Sequence, residues 1–271
     1  MPLKDHTTYP TGPDGRHHVV GLSGGKDSTA MAIRLKRDRP NVPFIFFCTP
    51  TGDELPAMQE HWARLESLLG EPLVRLTNGT LDSWIEHYGA LPNWRQRWCT
   101  RLLKIEPCLA FLARLQHAAQ AKPALYVGLR ADEEERKGLY SEQVDTLFPL
   151  REWGWGLPEV VGFLRAEGVE IPKRTDCARC YDQRLVEWQN LWREHPDIYA
   201  HAEQQEAQIS EARGKLVTFR SRTSDTWPAA LSELREKWEA GHWLRGEYER
   251  RQGSLFDDDD AKPGACRVCR L

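Results

Sequence analysis

The sequence predicts an α/β fold: a doubly wound, mainly parallel sheet followed by a helical C-terminal part. Three observations support this prediction. Short apolar runs alternate with segments of helical spacing, a glycine-rich turn joins the first run to the first such segment, and the strand pattern fades past about residue 170. Such alternation forms crossover connections, and ligands of these sheets bind at the carboxyl ends of the strands.

Five apolar runs are predicted strands, after a lead-in rich in Pro, Gly and Thr. They cover residues 18–22, 44–48, 72–76, 124–129 and 146–150. Apolar residues at helical spacing predict helices in residues 30–35, 56–69, 81–87, 101–120, 182–194, 197–213 and 228–251. The chain therefore divides into four parts. They are a lead-in (1–17), a sheet domain (18–170), a helical cysteine-bearing region (171–252) and a flexible acidic link with a Cys-x-x-Cys tail (253–271).

The amino-acid composition argues against several classes of protein. The 271 residues are 40% hydrophobic and 28% charged, with a formal net charge of −3. Such a chain buries a sizeable core and is too mixed in sign to bind polyanions in general. It has no apolar run of about eighteen residues and no cleavable leader, and its seven cysteines argue against a secreted disulfide scaffold. We therefore expect a cytoplasmic protein without a membrane segment.

The turn after the first strand carries the strongest chemical signal. It consists of Ser23, Gly24, Gly25, Lys26, Asp27, Ser28 and Thr29. Two glycines let the backbone curl tightly, and the following helix offers amides, its positive dipole end, a lysine and hydroxyl groups to a phosphate chain. An ordinary capped turn is the alternative. The spacing excludes both the P-loop, with four residues between its glycines, and the dinucleotide fingerprint.

This turn resembles the pyrophosphate loop of the PP-loop ATP pyrophosphatases, which cleave ATP between the α and β phosphates and adenylate an oxygen or sulfur acceptor. Three later segments resemble one branch, the phosphoadenylyl-sulfate (PAPS) reductase-like family. They are residues 51–54 (TGDE), 97–104 (RWCTRLLK) and 128–136 (GLRADEEER). The segment from Cys177 to Tyr199 resembles stand-alone phage and mobile-element members, near the DNA phosphorothioation enzymes.

The resemblance spans about residues 18 to 210 and implies an adenine nucleotide α-hydrolase-like fold, with the PP-loop nucleotide-binding domain in 18–170. It implies nucleotide contacts in the second turn, which consists of Thr51, Gly52, Asp53 and Glu54. Asp53 or Glu54 would hold ribose hydroxyls or magnesium, unless the turn is only polar. Arg130 and Arg136 are assigned to neutralising phosphate charge, with Asp132 beside them. Glu134 and Glu135 are interpreted as a solvated face.

Residues 94–104 combine arginines with indoles. Arginines at this spacing clamp phosphate or sulfate, and Trp94 and Trp98 are able to stack a base. The family pattern selects Arg101 and Lys104, Arg95 stays undecided, and a solvated helix start explains some of these charges equally well. A second basic patch is a candidate nucleic-acid contact or a charged loop, and it consists of Arg213, Lys215, Arg220, Arg222 and Trp227.

Three cysteines are interpreted singly. Cys48 lies in an apolar strand and Cys108 in an amphipathic helix, so both are predicted core thiols. Cys99 lies among arginines, whose charge favours the thiolate. It is a candidate sulfur carrier or cluster ligand, with a structural thiol as the alternative.

Four cysteines form two short-spaced pairs. They are Cys177 with Cys180 and Cys266 with Cys269. Four such thiolates suit tetrahedral Zn²⁺ or a [4Fe-4S] cluster, although the chain between the pairs is longer than in a compact zinc module. PAPS reductases instead carry a nucleophilic cysteine on a C-terminal tail, which would be Cys266 or Cys269 here.

Two departures from those reductases favour ATP as the substrate. The chain lacks their Glu-Cys-Gly-(Ile/Leu)-His ending, and it keeps the lysine-containing pyrophosphate loop that they have altered. The sequence therefore predicts an enzyme that binds ATP with Mg²⁺ and adenylates an acceptor in sulfur transfer, with a sulfur donor or a thioredoxin-like reductant as partner. The catalytic candidates are Lys26, Cys99, Arg101 and Lys104. The alternatives are a sulfite-forming PAPS reductase and a non-catalytic nucleotide- or nucleic-acid-binding subunit of a defence or mobile-element complex.

Overall fold

A parallel sheet organises the first part of the chain. The computed structural model describes residues 8–133, 144–221 and 226–244. Within these ranges the strands are β1 (His18–Gly21), β2 (Phe44–Cys48), β3 (Leu73–Arg75), β4 (Ala124–Tyr126) and β5 (Asp145–Leu147). They form one sheet in the order β3-β2-β1-β4-β5, with every neighbouring pair parallel. The predicted α/β class with a parallel sheet is confirmed.

Helices flank this sheet and continue beyond it. Those up to the last strand connection are α1 (Lys26–Asp38), α2 (Pro56–Leu69), α3 (Leu81–Tyr88), α4 (Trp98–Thr100), α5 (Glu106–Ala119), α6 (Pro149–Glu152) and α7 (Leu157–Ala166). A π-helical turn, Arg101–Ile105, joins α4 to α5. The later helices are α8 (Leu185–Glu194), α9 (Pro196–Arg213) and α10 (Leu231–Glu239). In the described parts of the chain, no helix is long and apolar enough to cross a membrane.

Both faces of the sheet are covered by helices, which explains why its strands are apolar throughout. Val20 and Phe46 pack in one core with α1, α2 and α7. Val19 and Ile45 belong to the opposite face, where they pack with Phe111 of α5. Successive strand residues point to opposite faces, so a parallel strand buried on both sides has no polar side.

The direction of chain progression reverses beside β1. The chain adds β2 and β3 on one side of β1, and then returns to add β4 and β5 on the other side. The carboxyl edge between β1 and β4 is therefore the topological switch point, where open parallel sheets bind their ligands.

Prolines account for two differences from the predicted elements. The strand predicted at 146–150 ends at Leu147, and Pro149 begins α6, because proline suits the first helical turn and has no N–H for a strand ladder. The helix predicted at 101–120 consists of the π-helical turn and α5. Pro107 has no N–H for the carbonyl of Leu103, and the wide turn lies at this point.

One further helix prediction needs correction, and one helix was not predicted. The helix predicted at 228–251 is helical only over Leu231–Glu239, and Gly241 follows with a φ of +84°. Residues 245–251 lie outside the described ranges. The sequence pattern missed α7, whose buried residues are only Val160 and Leu164, so that its periodic signal is short.

The C-terminal helices form a second core together with residues from the sheet domain. Trp188 of α8 and Trp238 of α10 are fully buried in it, beside Ile85 of α3 and Leu103 of the π-helical turn. This core therefore contains residues from both sides of the boundary predicted at 170. The α8–α10 part is built onto the sheet domain through shared apolar surface rather than joined by a linker.

A buried ion pair joins the same two parts. Arg179 donates from Nε to Oδ1 of Asp53 at 2.6 Å, and its backbone N–H donates to Oδ2 at 2.8 Å. The guanidinium also donates to Asp82 at 2.8 Å and to Gln205 of α9 at 2.6 Å. Both Asp53 and Arg179 are almost fully buried. The turn after β2 is thus fastened to α3 and α9 through one guanidinium group.

Replacing Arg179 by Met is expected to lower the free energy of unfolding by about 3–5 kcal/mol, because Asp53 would stay buried without its charge partner. The matched control is Lys36→Met, which removes a partly exposed ion pair of 2.6 Å with Glu71 and should cost at most about 1 kcal/mol. Urea unfolding followed by tryptophan fluorescence measures both values. Similar small losses in the two variants would contradict the role given to Arg179.

Glu206 of α9 is a buried carboxyl group in the second core. Its two oxygens accept the backbone N–H groups of Phe219 and Leu231, each at 2.8 Å. Burial raises the pKa of Glu206 to about 7, although these two hydrogen bonds lower it. The folded protein therefore keeps a proton on Glu206 at pH values where the unfolded chain has released it.

Stability is accordingly expected to fall as the pH rises from about 5 to about 7, because only the unfolded state is then ionised at this position. Relative to Glu206→Gln, the wild-type protein should lose about 3 kcal/mol between about pH 4 and pH 8. Glu211→Gln on the exposed side of α9 is the control. A difference between wild type and Glu206→Gln that does not change with pH would refute this expectation.

Candidate functional site

The glycine-rich turn lies at the carboxyl end of β1 and begins α1. Gly25 is the N-cap and Lys26 is the first residue of the helix. Gly24 has a φ of +91°, and a Cβ atom there would lie 2.2 Å from Cε of Met58 and 2.9 Å from Nε1 of Trp62. Only glycine fits this position, on grounds of both backbone conformation and space.

Two side chains of α2 fix the orientation of this turn. Trp62 donates from Nε1 to the carbonyl of Ser23 at 3.0 Å, and Nε2 of His61 lies 3.1 Å from the carbonyl of Gly24. Burial, reinforced by Arg64, lowers the pKa of His61 to about 4, so its imidazole is neutral at neutral pH and donates through Nε2. The carbonyls of two successive peptide groups therefore point towards α2.

The orientation of these carbonyls determines where the amides point. In a trans peptide the C=O and N–H groups lie on opposite sides, so the N–H groups of Gly24 and Gly25 point away from α2. They join the N-terminus of α1, which carries the positive end of the helix dipole. Such a set of amides binds anions, with Lys26 beside them as a cation.

A cavity of about 230 Å³ lies next to this turn at the switch point of the sheet. Its lining comes from the ends of three neighbouring strands and from the turns that follow them. The residues are Gly21, Leu22, Ser23, Gly25, Asp27, Ser28, Phe47, Cys48, Thr49, Val127, Gly128 and Leu129. The predicted loop residues Ser23, Gly25, Asp27 and Ser28 therefore do border a cavity.

The segment after β4 packs directly on the start of α1. A Cβ atom at Gly128 would lie 3.0 Å from the backbone nitrogen of Ser28 and 3.1 Å from the carbonyl carbon of Asp27. Glycine is thus needed at position 128 because backbone meets backbone there. This close approach sets the width of the cavity between β1 and β4.

Arg130 has a different position from the one expected. It is only 2% exposed and donates to both oxygens of Asp27, at 2.9 and 3.2 Å, and to Asp132 at 2.8 Å. Burial raises the pKa of Asp27, and the charge of Arg130 opposes that rise. The guanidinium of Arg130 thus pairs with Asp27 under the loop, and its expected role in neutralising phosphate stays a prediction. Arg136, Glu134 and Glu135 lie outside the described residues.

The carboxylates of the second turn are also engaged within the protein. Glu54 accepts hydrogen bonds from the N–H and hydroxyl groups of Thr51, both at 2.7 Å, and from the N–H of Gly52 at 3.1 Å. Asp53 is held by Arg179, as described above. Neither carboxylate borders the cavity beside the glycine turn, and the ribose or magnesium contacts expected of them stay a prediction. Their present role is to shape the turn.

One thiol contacts this turn, and two further thiols lie in the neighbourhood of Tyr181. Sγ of Cys177 lies 3.3 Å from the hydroxyl of Thr51. Burial raises the pKa of Tyr181, and its phenol also interacts electrostatically with Cys99, Cys180 and Arg97. Tyr181 is therefore the common neighbour of Cys99 and Cys180. The fold brings these cysteines into one region although about 80 residues separate them in sequence.

The metal-binding prediction depends on residues beyond this region. In the described parts of the chain, no group of three or more His, Cys, Asp or Glu side chains has a geometry that could hold a metal ion. Cys266 and Cys269 lie outside the described residues. Cys177 and Cys180 therefore do not by themselves fit a zinc or cluster site, and the four-thiol site stays a prediction.

The arginine-rich segment borders a different cavity from the glycine turn. Arg97, Trp98 and Arg101 line a cavity of about 580 Å³, together with Arg213 from the end of α9. Arg101 also donates to Glu106 at 2.7 Å. Lys104 lies on the π-helical turn and is not among the residues that line either cavity.

Several residues singled out in the sequence are buried in the protein or pack against its core. Cys48 is buried in β2 and Cys108 packs against the core under α5, and burial raises the pKa of both thiols to about 12, as expected of core cysteines. Arg220 is buried and donates to the carbonyls of Trp227 and Pro228. It is therefore not a surface contact for nucleic acid, and Arg222 lies outside the described residues.

Sequence reasoning missed His61 and Trp62. On an amphipathic helix both residues have the appearance of ordinary core and surface positions, and no local pattern marks their contact with the turn. Their role follows only from the packing of α2 against the start of α1.

The solved structures to which the chain is similar include a PAPS reductase and a tRNA thiolase. The PAPS reductase from Candida auris, as its phosphate complex, is 14% identical with a TM-score of 0.44, over 60% of this chain and 76% of that chain. The U34-tRNA thiolase NcsA from Methanococcus maripaludis, with its [4Fe-4S] cluster, is 18% identical with a TM-score of 0.45, over 73% and 75%. No curated protein sequence matches the chain significantly.

A family model gives the firmer assignment. The model of the phosphoadenosine phosphosulfate reductase domain matches residues 17–174, which is more than half of the chain. The match contains the five strands, the glycine turn and the arginine-rich segment. The chain therefore belongs to the phosphoadenosine phosphosulfate reductase domain family, and so to nucleotide-using enzymes related to sulfur transfer.

Proposed function

We propose that the protein binds MgATP at the glycine turn, cleaves it between the α and β phosphates, and adenylates an acceptor in sulfur transfer. The observation that carries the proposal is the direction of the turn. His61 and Trp62 hold its carbonyls, so the amides of Gly24 and Gly25 face away from α2 at the N-terminus of α1. Lys26 stands at the same helix end, where a pyrophosphate group would need a cation.

The reaction follows from this arrangement of charges. A nucleophilic oxygen or sulfur of the acceptor attacks the α phosphorus and forms a bond to it. The bond from the α phosphorus to the bridging oxygen breaks, and pyrophosphate leaves with the electron pair. Lys26 and the turn amides stabilise the negative charge that develops on this leaving group, and because they are already oriented they need little reorganisation.

The cavity beside the turn fits the rest of the nucleotide. Phe47, Val127 and Leu129 give it apolar walls for an adenine ring, at the switch point of the sheet. The magnesium ion enters with the ATP phosphates, as it does where a protein supplies few ligands of its own. We assign no magnesium ligand to Asp53 or Glu54, since both are engaged within the protein.

The proposed role in sulfur transfer rests on the surroundings of Cys99, Cys177 and Cys180, which we call the thiol region. Cys99 is our candidate for the sulfur-carrying thiol, and Arg101 and Lys104 for contacts with the anionic groups of the substrates. Cys180 and Cys99 share Tyr181 as a neighbour, and Sγ of Cys177 lies beside the hydroxyl of Thr51. A sulfur donor or a thioredoxin-like reductant would act here.

A PAPS reductase is the second candidate, because the matching family carries that name. With two electrons from a pair of thiols, which become a disulfide, it would release sulfite and adenosine 3′,5′-bisphosphate from PAPS. The proposed reaction instead releases pyrophosphate and leaves AMP on the acceptor. PAPS has no β,γ-pyrophosphate, so the lysine and amides of the turn would then lack their ligand group. Product analysis with each substrate separates the two reactions.

Lys26→Ala is expected to reduce the release of pyrophosphate from ATP by about 100- to 1,000-fold, because it removes a positive charge from the leaving group. Pyrophosphate and AMP are measured with labelled ATP and a fractionated lysate as the source of acceptor. Lys36→Ala, on the same helix but paired with Glu71 at 2.6 Å, is the matched control and should keep its rate. Label that appears as ADP, or equal rates in both variants, would overturn the proposal.

Gly128→Ala is expected to weaken ATP binding by about tenfold or more. Its Cβ atom would press on the backbone of Asp27 and Ser28 and displace the start of α1, while β1 and β4 stay packed. The dissociation constant for ATP is measured by calorimetry.

The control for this variant is Gly162→Ala in α7, where a Cβ atom meets nothing within 4 Å. It should leave ATP binding unchanged and raise stability by up to about 1 kcal/mol, since alanine is the better helix former. Unchanged ATP affinity in Gly128→Ala would show that the nucleotide does not depend on the approach of β4 to α1.

A further inference from the structure

The larger cavity, about 580 Å³, is lined by side chains of which only Arg101 has a part in the proposed reaction. We call it the arginine cleft, and it is defined by Tyr88, Gln96, Arg97, Trp98, Arg101 and Arg213. We propose that the arginine cleft binds a single-stranded nucleic acid, with an unpaired base against its aromatic wall and phosphates on its arginines.

The charge around the cleft is opposite to that of the whole chain. Residues 87–105 contain four Arg or Lys residues and no Asp or Glu, whereas the full chain has a net charge of −3. Arg213 comes from the end of α9 and donates to the carbonyl of Gly89 at 2.7 Å, which fixes its guanidinium at the cleft. Glu106 offsets one of these charges by its ion pair with Arg101. Two further arginines remain, and guanidinium groups match phosphate oxygens in geometry.

Arg97 has an unsatisfied hydrogen-bond donor. Its Nε is buried and has no hydrogen-bond partner among the residues that the structure describes. A buried donor without a partner costs free energy, so the guanidinium of Arg97 would gain from a rearrangement that gives it an oxygen acceptor. Phosphate oxygens in the cleft are acceptors of this kind.

The aromatic residues indicate that this ligand also carries rings. Tyr88 is 40% exposed and packs on Trp98 at a centroid distance of 5.5 Å. Just outside the cleft Trp94 is 60% exposed, and the guanidinium of Arg95 lies over its ring at 4.7 Å. An inorganic anion would leave these rings unused. Bases of single strands stack on such indole, phenol and guanidinium planes, whereas bases in a duplex are already stacked on each other.

The position of Trp94 favours a strand over a mononucleotide. Trp94 and Arg95 do not line the cleft, so a ligand confined to it would not reach them. A strand that continues from the cleft would stack on both. Arg97 and Cys99 share Tyr181 as a neighbour, so the same strand would pass close to the thiol region. Binding in the cleft is independent of the proposed function.

The test is binding of a fluorescent single strand of about 12 nucleotides to the full chain without ATP, followed by anisotropy. Separate titrations use oligouridylate, oligothymidylate and a blunt duplex as ligands. UMP is added as a competitor of the bound strand. We expect either or both single strands to bind, and the two arms distinguish RNA from DNA. Arg213→Gln should weaken binding and reduce the slope of log affinity against log salt by about 0.7, the value for one phosphate contact of a single strand. Trp94→Ala should weaken it by about five- to 100-fold.

Matched controls remove the same chemistry outside the cleft. Lys215→Gln removes a charge two residues from Arg213, and Trp243→Ala removes an exposed indole that packs on Trp192 elsewhere. Both should bind like the wild type. Equal losses in Arg213→Gln and Lys215→Gln, duplex binding as tight as single-strand binding, or UMP competing as well as the strand would each overturn the proposal.

This experiment is separate from the test of ATP cleavage. Strand binding without pyrophosphate release would leave the cleft assignment standing and contradict the proposed reaction. Pyrophosphate release without strand binding would do the opposite. Arg213→Gln and Trp94→Ala are expected to keep the ATP affinity of the wild type, because neither residue borders the cavity at the glycine turn.

Discussion

Two hydrogen bonds from α2 determine which side of the glycine turn is available to a ligand. Without His61 and Trp62, the flexible backbone of two glycines would have no preferred orientation, and the amides of the turn could face solvent or the protein interior. With them, the carbonyls are held and the amides are presented at the carboxyl edge of the sheet. Because burial keeps the imidazole of His61 neutral, its hydrogen bond to the carbonyl of Gly24 places the single ring proton on Nε2.

A second constraint acts between the sheet domain and the C-terminal helices. Asp53, a residue of the turn after β2, is buried under Arg179, which also reaches α3 and α9. The matched family domain ends at residue 174, yet Arg179 and the α8–α10 residues of the second core lie beyond it. The C-terminal helices therefore act as part of the same rigid frame. They bring Arg213 to residues 97–101 and the Cys177–Cys180 segment to the turn after β2.

The sequence was sufficient for features that depend on local chemistry. The apolar runs of β1 and β2, the amphipathic pattern of α2 and the Ser-Gly-Gly-Lys turn were predicted at their positions because each is encoded by neighbouring residues. It was insufficient where a charged residue chooses its partner through the tertiary fold. Arg130 and Asp53 have the appearance of ligand-binding residues in sequence, but they are buried and paired with Asp27 and Arg179. Arg213 stands out in sequence only as one charge of a local basic patch, and His61 has no local signal, because the segments they contact are distant along the chain.

The loop between Cys177 and Cys180 is pinned at both of its middle residues. The N–H of Ala178 donates to the carbonyl of Asp53 at 2.6 Å, and Arg179 is held through its side chain and its own N–H. The two thiols are therefore spaced by a segment whose conformational entropy was lost when the protein folded. A metal, a sulfur atom or a partner thiol that uses both cysteines would not have to order this loop again, so its affinity would reflect the bonds it forms. The buried ion pair thus holds the segment between the two thiols in place as well as stabilising the fold.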